Sequence, residues 1–284
     1  MTTVRRTLLP LVVILALLAG GCRNPFFLPV PGPSATPALG RVSIEDVFFE
    51  TRDRVRLHGW LLSPKGSAAP RGTVLFLHGN AGNVGINADS YLWLAEAGFV
   101  VFAFDYRGYG LSDGEPTFPG VNEDARAALA LLPTLRGVDP GRIAVFGQSL
   151  GGAIAIRTVA AAGEPRFVKA LAVDAAFASY RLIVRDRMTE FPLTWLTKYP
   201  ASFLFDDSYS PERVIGSVSP VPIVLVHGTA DRVVPYHHAE ILFEKAREPK
   251  ALWTLQGGGH GSGFADPVIR ARLIAFLDRA FGRP

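Results

Sequence analysis

From Val42 to the C-terminus the chain alternates short apolar runs with stretches of helical periodicity, and that alternation leaves little choice of fold class. Thr73 to Leu77, Phe99 to Phe104, Ile143 to Phe146, Ala170 to Val173, Ile223 to Val226 and Ala251 to Leu255 have almost no polar side on which a strand could face water. Strands of this kind are buried on both faces, which calls for helices above and below a mostly parallel sheet. Helices are expected from Asn87 to Ala97, Val121 to Leu135, Leu150 to Ala162, His237 to Ala246 and Pro267 to Phe281. Gly98, Gly137 and Gly163 are placed to cap the first three. Val42 to Glu50 and Val55 to Leu62 flank the polar turn Thr51-Arg52-Asp53-Arg54 and read as a hairpin at the sheet edge. Ser179 to about Ser219 breaks the rhythm, being rich in aromatic and apolar residues without a strand of its own, and is a candidate lid. No period of 20 to 50 residues recurs, which excludes a solenoid or propeller. One α/β domain over residues 42 to 284 is the expectation, and an apolar fraction of 49% is ample for its core.

Within this pattern, Gly147-Gln148-Ser149-Leu150-Gly151 joins a strand directly to a helix. A G-x-S-x-G motif in that setting is a nucleophile elbow: a sharp turn lifts the serine hydroxyl clear of the sheet, and the glycines remove side chains that would collide. An unassisted serine is a poor nucleophile and needs a general base within hydrogen-bond reach. Of the six histidines, His58 lies in an edge strand, His78 and His227 end strands in His-Gly turns, and His237 and His238 begin a helix. His260 alone sits in a glycine-rich loop, Gly257-Gly258-Gly259-His260-Gly261, after the last strand and before the last helix. A carboxylate must then hold the imidazole in one tautomer. Asp231, in the loop after the strand Ile223 to Val226, is preferred to its competitor Asp174, which runs straight into an apolar segment. The oxyanion developing on the acyl carbon needs two N–H donors. One is expected from Leu150, at the helix N-terminus, and the other from Asn80, in the loop His78-Gly79-Asn80-Ala81-Gly82-Asn83 after the third strand. Asp105-Tyr106-Arg107-Gly108-Tyr109-Gly110 ends the fourth strand beside that loop, where Asp105 and Arg107 are expected to pair or to bond backbone and so fix the loop, and Tyr109 to shape the acyl pocket.

HGNAGN at 78 to 83, FDYRGYGLSDGEP at 104 to 116, GQSLGG at 147 to 152, HGTADRVVP at 227 to 235 and GGGHG at 257 to 261, in this order, resemble the Bem46-like α/β hydrolases. These include the ABHD13 and ABHD17 groups and have serine aminopeptidase-like domains. The resemblance covers roughly residues 42 to 284. It implies an α/β-hydrolase fold with an eight-stranded, mostly parallel sheet, a Ser149-Asp231-His260 triad and an oxyanion hole from Asn80 and Leu150. It does not imply a substrate.

No metal or organic cofactor is called for: H-E-x-x-H, P-loop and Gly-x-Gly-x-x-Gly patterns are absent from the sequence. Serine at the elbow also argues against dehalogenases, which place aspartate there, and dienelactone hydrolases, which place cysteine. Cleavage of a small acyl ester, carboxylesterase-like, leads, with thioesterase and amidase or peptidase behind, because one triad serves all three. The rival from another class is a membrane-anchored binding lipoprotein without turnover. The net charge of +4 is scattered among apolar segments, so no nucleic-acid partner is expected, and the sequence is silent on oligomeric state.

The N-terminus reads as an address. Arg5 and Arg6 precede an apolar run from Leu8 to Ala19, about a dozen residues and shorter than the roughly 20 a membrane span needs. Leu18-Ala19-Gly20-Gly21-Cys22 resembles a bacterial lipobox, making residues 1 to 21 a signal peptide and Cys22, the only cysteine, a lipidation site. The expectation is an exported, membrane-anchored lipoprotein of the bacterial cell envelope. Prolines 25, 29, 31, 33 and 37 make residues 22 to 41 a semi-rigid tether that would hold the catalytic body off the membrane.

Overall fold

The computed structural model describes residues 24–37, 40–66, 69–162, 167–189, 194, 195 and 197–283. Eight strands form one sheet: β1 (Val42–Glu50), β2 (Arg56–Pro64), β3 (Thr73–Leu77), β4 (Val100–Asp105), β5 (Ile143–Gln148), β6 (Val168–Asp174), β7 (Ile223–Gly228) and β8 (Lys250–Leu255). Their spatial order is β8-β7-β6-β5-β3-β4-β2-β1. The pairings β1·β2 and β2·β4 are antiparallel and all others parallel, which is the expected edge hairpin on a parallel sheet.

The strand interiors lack a wet face, as their composition requires. Leu75, Leu77, Phe102 and Phe104 point into one apolar layer, and Val74, Phe76, Val101 and Ala103 into the other. Helix α1 (Leu92–Glu96) covers the second layer together with the C-terminal helix, while α2 (Phe118–Leu131) and α3 (Leu150–Ala161) cover the first. Next along the chain come α4 (Tyr180–Thr189), α5 (Lys198–Ser202), α6 (His237–Lys245) and α7 (Pro267–Ala280), the C-terminal helix just mentioned.

Two helices differ from expectation for local reasons. The first, expected from Asn87, splits into a 3-10 turn at Ala88–Ser90 and the short α1. Asn87 turns its amide back onto the carbonyls of Ala81 and Asn83, so residues 83 to 90 close a compact loop instead of extending the helix. The second begins earlier than expected, because the Thr117 hydroxyl accepts the Gly120 N–H as an N-cap. It gives way to a 3-10 turn at Leu132–Thr134, where Pro133 cannot continue an α-helix, so Gly137 lies beyond the helix end and does not cap it. Gly98 does follow its helix with φ +97°, and Gly163 lies outside the described residues.

Between β6 and β7 the candidate lid carries α4, α5 and two 3-10 turns, and no strand among its described residues. Asp207 pins its two ends together, accepting hydrogen bonds from the Ser179 hydroxyl, the Ser210 hydroxyl and the Arg181 N–H.

The tether expectation requires correction in its described part. Residues from Asn24 to Ser34 lie as a strap along the body and do not stand away from it. Leu28–Pro29 pairs in parallel with Ala81–Gly82, and Pro31 bridges Gly110. The donors are Leu28 to Asn80 O (2.9 Å), Val30 to Gly82 O (3.0 Å) and Gly32 to Gly110 O (2.7 Å). In extended backbone alternate N–H groups share a side. The even-numbered residues therefore bond inward, and Pro29, Pro31 and Pro33, which have no N–H, fall on the outer edge where proline is tolerated. Phe27 is buried, and Phe26 packs edge-on against Tyr180 and Phe205. Phe26 and Phe27 are the apolar anchor that proline content masked. The signal segment and Cys22 lie outside the described residues.

Candidate active site

The C-terminal ends of the parallel strands gather the functional side chains, as open α/β sheets do at their ligand face. Ser149 sits between β5 and α3 with φ 55° and ψ −118°, a conformation costly for a residue with a side chain. The surroundings enforce it. A Cβ on Gly147 would stand 2.3 Å from the Gly151 carbonyl oxygen, and one on Gly151 would stand 2.1 Å from that of Leu77. The Ser149 N–H donates to the Asp174 carbonyl of the neighbouring strand at 2.8 Å, which ties the elbow to β6.

His260 Nε2 lies 3.1 Å from Ser149 Oγ, and its Nδ1 lies 2.8 Å from Asp231 Oδ2. Asp231 is in turn held by three donors: the N–H groups of Val233 and Val234 reach its Oδ1 at 2.8 and 2.9 Å, while His260 occupies Oδ2. Burial alone would raise its pKa. The His227 Nε2–H 3.4 Å away, with the hydrogen bonds from His260 and the Val234 N–H, outweighs burial and holds the carboxyl well below the usual range, so Asp231 is an anion facing an imidazole N–H. Asp174, the competitor, goes the other way. It is fully buried and its Oδ2 has no hydrogen-bond partner, and desolvation pushes its pKa up to about 7 against the opposing pull of His227 and Gln148. The imidazole therefore rests on Asp231, and Asp174 serves through its backbone.

Leu150 and the Gly79–Asn80 peptide, from which the oxyanion donors are expected, both lie beside Ser149. Leu150 is the first residue of α3, so its N–H has no intrahelical partner and stands at the positive end of the helix dipole. Gly79 abuts the nucleophile, with the place of a Cβ only 3.8 Å from Ser149 Cβ. The Gly79 carbonyl is drawn to His78 Nδ1 at 2.7 Å. A trans peptide then directs the Asn80 N–H the opposite way. The Asn80 carbonyl is fixed as well, accepting the Leu28 N–H at 2.9 Å and the Tyr109 hydroxyl at 2.8 Å.

Tyr109 accordingly braces the Gly79–Asn80 loop through its hydroxyl, a contact sequence reasoning missed. Asp105 and Arg107 do not pair with each other, and only the Asp105 side chain holds backbone. Asp105 accepts the Val84 N–H at 2.6 Å, whereas the Arg107 guanidinium bonds Asp53 and Asp124, each at 2.8 Å. His227 was also overlooked as a support: its Nε2 donates to the Val234 carbonyl at 2.8 Å and shapes the loop carrying Asp231. A shared signal existed for His78 and His227, since each precedes a glycine at the end of a strand.

Among the described residues one cluster has ligand atoms close enough for a metal ion: Asp186, His237 and His238. Its geometry answers to another purpose. His238 Nδ1 accepts the Ala178 N–H at 3.0 Å, so its Nε2 carries the proton and donates to Asp186 at 3.0 Å, leaving no lone pair there for a metal. The contact clamps α4 to α6.

The family described as "Serine aminopeptidase, S33" matches residues 68–213. The uncharacterized protein YfhR of Escherichia coli K12 is 38% identical over 241 residues, spanning 83% of this chain and 81% of that protein. The α/β hydrolase domain-containing protein WAV2 of Arabidopsis thaliana is 34% identical over 254 residues, spanning 84% and 80%. Among solved structures, the Pyrococcus furiosus esterase Pf2001 superposes with a TM-score of 0.68 at 22% identity, covering 90% of this chain and 99% of the esterase.

Proposed function

The chain belongs to the serine aminopeptidase (S33) family of α/β hydrolases, and from that premise we propose that it is a serine esterase working through a Ser149 acyl-enzyme. The observation that carries this reading is the unbroken relay from Asp231 through His260 to Ser149 at 2.8 and 3.1 Å, with the nucleophile in a strained turn at a helix N-terminus. Ser149 Oγ attacks the acyl carbon as His260 Nε2 takes its proton, and the carbonyl oxygen becomes an oxyanion between the Asn80 and Leu150 N–H groups. Collapse expels the alcohol, which leaves with the proton from His260. Water then enters, gives a proton to His260 and releases the acid by the same route. A small ester is favoured as substrate class because the solved fold neighbour above is an esterase. The same triad serves thioesters or amides.

The test is turnover of p-nitrophenyl esters of graded acyl length beside matched thioesters and peptide amides, for the wild type and Ser149→Ala. The reading expects ester turnover that Ser149→Ala removes. Amide turnover exceeding ester turnover would reassign the protein to peptidase chemistry, and no turnover of any of the three would remove the enzyme reading.

For its address we propose export and lipidation at Cys22, supported by the basic and apolar leader and the Leu18-to-Cys22 motif. Cys22→Ala is expected to release the protein from the membrane fraction of a bacterial host, and an unmodified Cys22 by intact mass would contradict it.

A further inference from the structure

Apolar side chains left in water are unevenly distributed on this molecule. Among the described residues eleven large ones are exposed, and nine of these belong to segments framing the mouth of the active site. The other two, Phe48 on β1 and Val268 on α7, lie on elements that contribute nothing to the site.

The frame is continuous. On one side the strap presents Leu28 and Val30, and Ile86 and Leu111 stand next to the backbone it pairs with. Phe26 joins the strap to the insertion at Phe205. The insertion contributes Trp195 (53% exposed), Tyr199 (57%), Phe203 (62%) and Leu204 (83%) within ten positions. At its far end Arg187 donates to the Arg232 carbonyl, next to Asp231, and Val233 completes the rim. A concentration of exposed apolar side chains of this size in connected segments marks a contact surface.

The charges on the insertion identify the partner. Arg181 lies 5.0 Å over the Phe203 ring, Arg185 lies 5.1 Å over Tyr199, and Lys198 lies 5.3 Å over Trp195, so the cations ride on the same rings that face outward. The carboxylates of the insertion make their hydrogen bonds elsewhere, Asp186 with His237 and His238, Asp207 with Ser179 and Ser210, and Asp206 with Ser208, while the cations lie over the exposed rings. Trp, Tyr, Phe and Leu fringed by Arg and Lys are the composition of a segment that settles at the headgroup level of an anionic bilayer. The chain leading into this frame agrees, because the strap begins at Asn24 on this face and the apolar run Leu8 to Ala19 and Cys22 precede it directly.

We propose that the rim formed by the strap, the α4–α5 insertion and the Asp231 loop docks on an anionic lipid surface, placing the mouth of the Ser149 site against the bilayer so that it draws acyl esters from the membrane. The substrate half of this proposal rests on the esterase reading above, and the docking half does not.

Trp195 supplies a local reporter, because the other three tryptophans, Trp60, Trp93 and Trp253, are buried. The full chain is mixed with phosphatidylcholine vesicles carrying brominated acyl chains, with and without phosphatidylglycerol, and tryptophan quenching and vesicle co-flotation are read together. Quenching is expected only in the presence of the anionic lipid, and Trp195→Phe should remove it. Leu204→Asp combined with Phe203→Asp should weaken vesicle partitioning by roughly tenfold or more. Hydrolysis of p-nitrophenyl acetate free in solution should stay within about twofold, as surface substitutions away from packed features do. Three outcomes would overturn docking: vesicles that float with the protein while Trp195 stays unquenched, quenching equal in neutral vesicles, or a rim sealed by dimerisation without lipid. Loss of all ester turnover with quenching intact would instead remove the esterase reading and leave the docking surface standing.

Discussion

The acid loop and the insertion between β6 and β7 meet at the same end of the sheet, yet their side chains are held in opposite ways. Asp231 faces three hydrogen-bond donors, and the histidine it orients sits in a loop packed so closely on β7 that a Cβ on Gly228 would stand 2.2 Å from the Gly258 carbonyl. Leu204 and Phe203, on the insertion, are 83% and 62% exposed, and arginines lie over the Phe203 and Tyr199 rings. The first arrangement holds its atoms in fixed geometry, which the proposed proton transfer between Ser149 and His260 demands. The second leaves apolar surface available to something outside the molecule. Chemistry and presentation are thus divided between two regions, and substitutions in each should fail differently.

The sharpest way to break this division is Asp231→Asn, which leaves the rim untouched. It should lower kcat by about 10³ to 10⁴, because an amide facing Nδ1 favours the wrong imidazole tautomer, while the thermal melt changes little. Retention of activity in Asp231→Asn with loss in Asp174→Asn would reassign the acid. Next in size is Gly151→Ala. With its Cβ 2.1 Å from the Leu77 oxygen, it should cost roughly 3 kcal/mol in denaturant unfolding, whereas Leu204→Asp should be close to neutral. Tyr109→Phe removes the hydroxyl from the Asn80 carbonyl and should reduce kcat by about tenfold with little change in KM, since the oxyanion exists only after attack. An equal effect on KM alone would place Tyr109 in substrate binding and not behind the oxyanion loop.

The smallest effect concerns Asp174 and carries a pH signature. Its folded pKa of about 7 stands above the ordinary 3.8, so the folded state keeps a proton that the unfolded chain releases. Stability attributable to this group therefore falls as pH rises from about 4 through about 7, and the penalty is complete above that. Asp174→Asn removes the penalty. Its melting temperature relative to wild type should rise across this window and be nearly level at pH 4.

Much of this arrangement was legible in the sequence wherever a local rule dictates it. Buried strands have no polar side, so β3 was bounded at Thr73 and Leu77 by composition alone. The elbow glycines, the His260 loop and the choice of Asp231 over Asp174 followed from chain order and from where strands end. The long-range contacts were not legible. Nothing local to Tyr109 says that its hydroxyl crosses to Asn80, 29 positions away, or that Leu28 donates to the same carbonyl. The strap was hidden for a further reason. Prolines 29, 31 and 33 suggest a free spacer, but the same alternation suits an edge segment in which the N–H groups of Leu28, Val30 and Gly32 bond inward.

The central claim, that Ser149 is an activated nucleophile in a formed relay, is tested most directly by reacting the full chain with a fluorophosphonate and mapping the adduct by peptide mass. A single phosphonyl group on Ser149 is predicted, absent in Ser149→Ala and slowed by orders of magnitude in His260→Ala. A wild-type chain that stays unmodified while folded, or an adduct on any other residue, would contradict it.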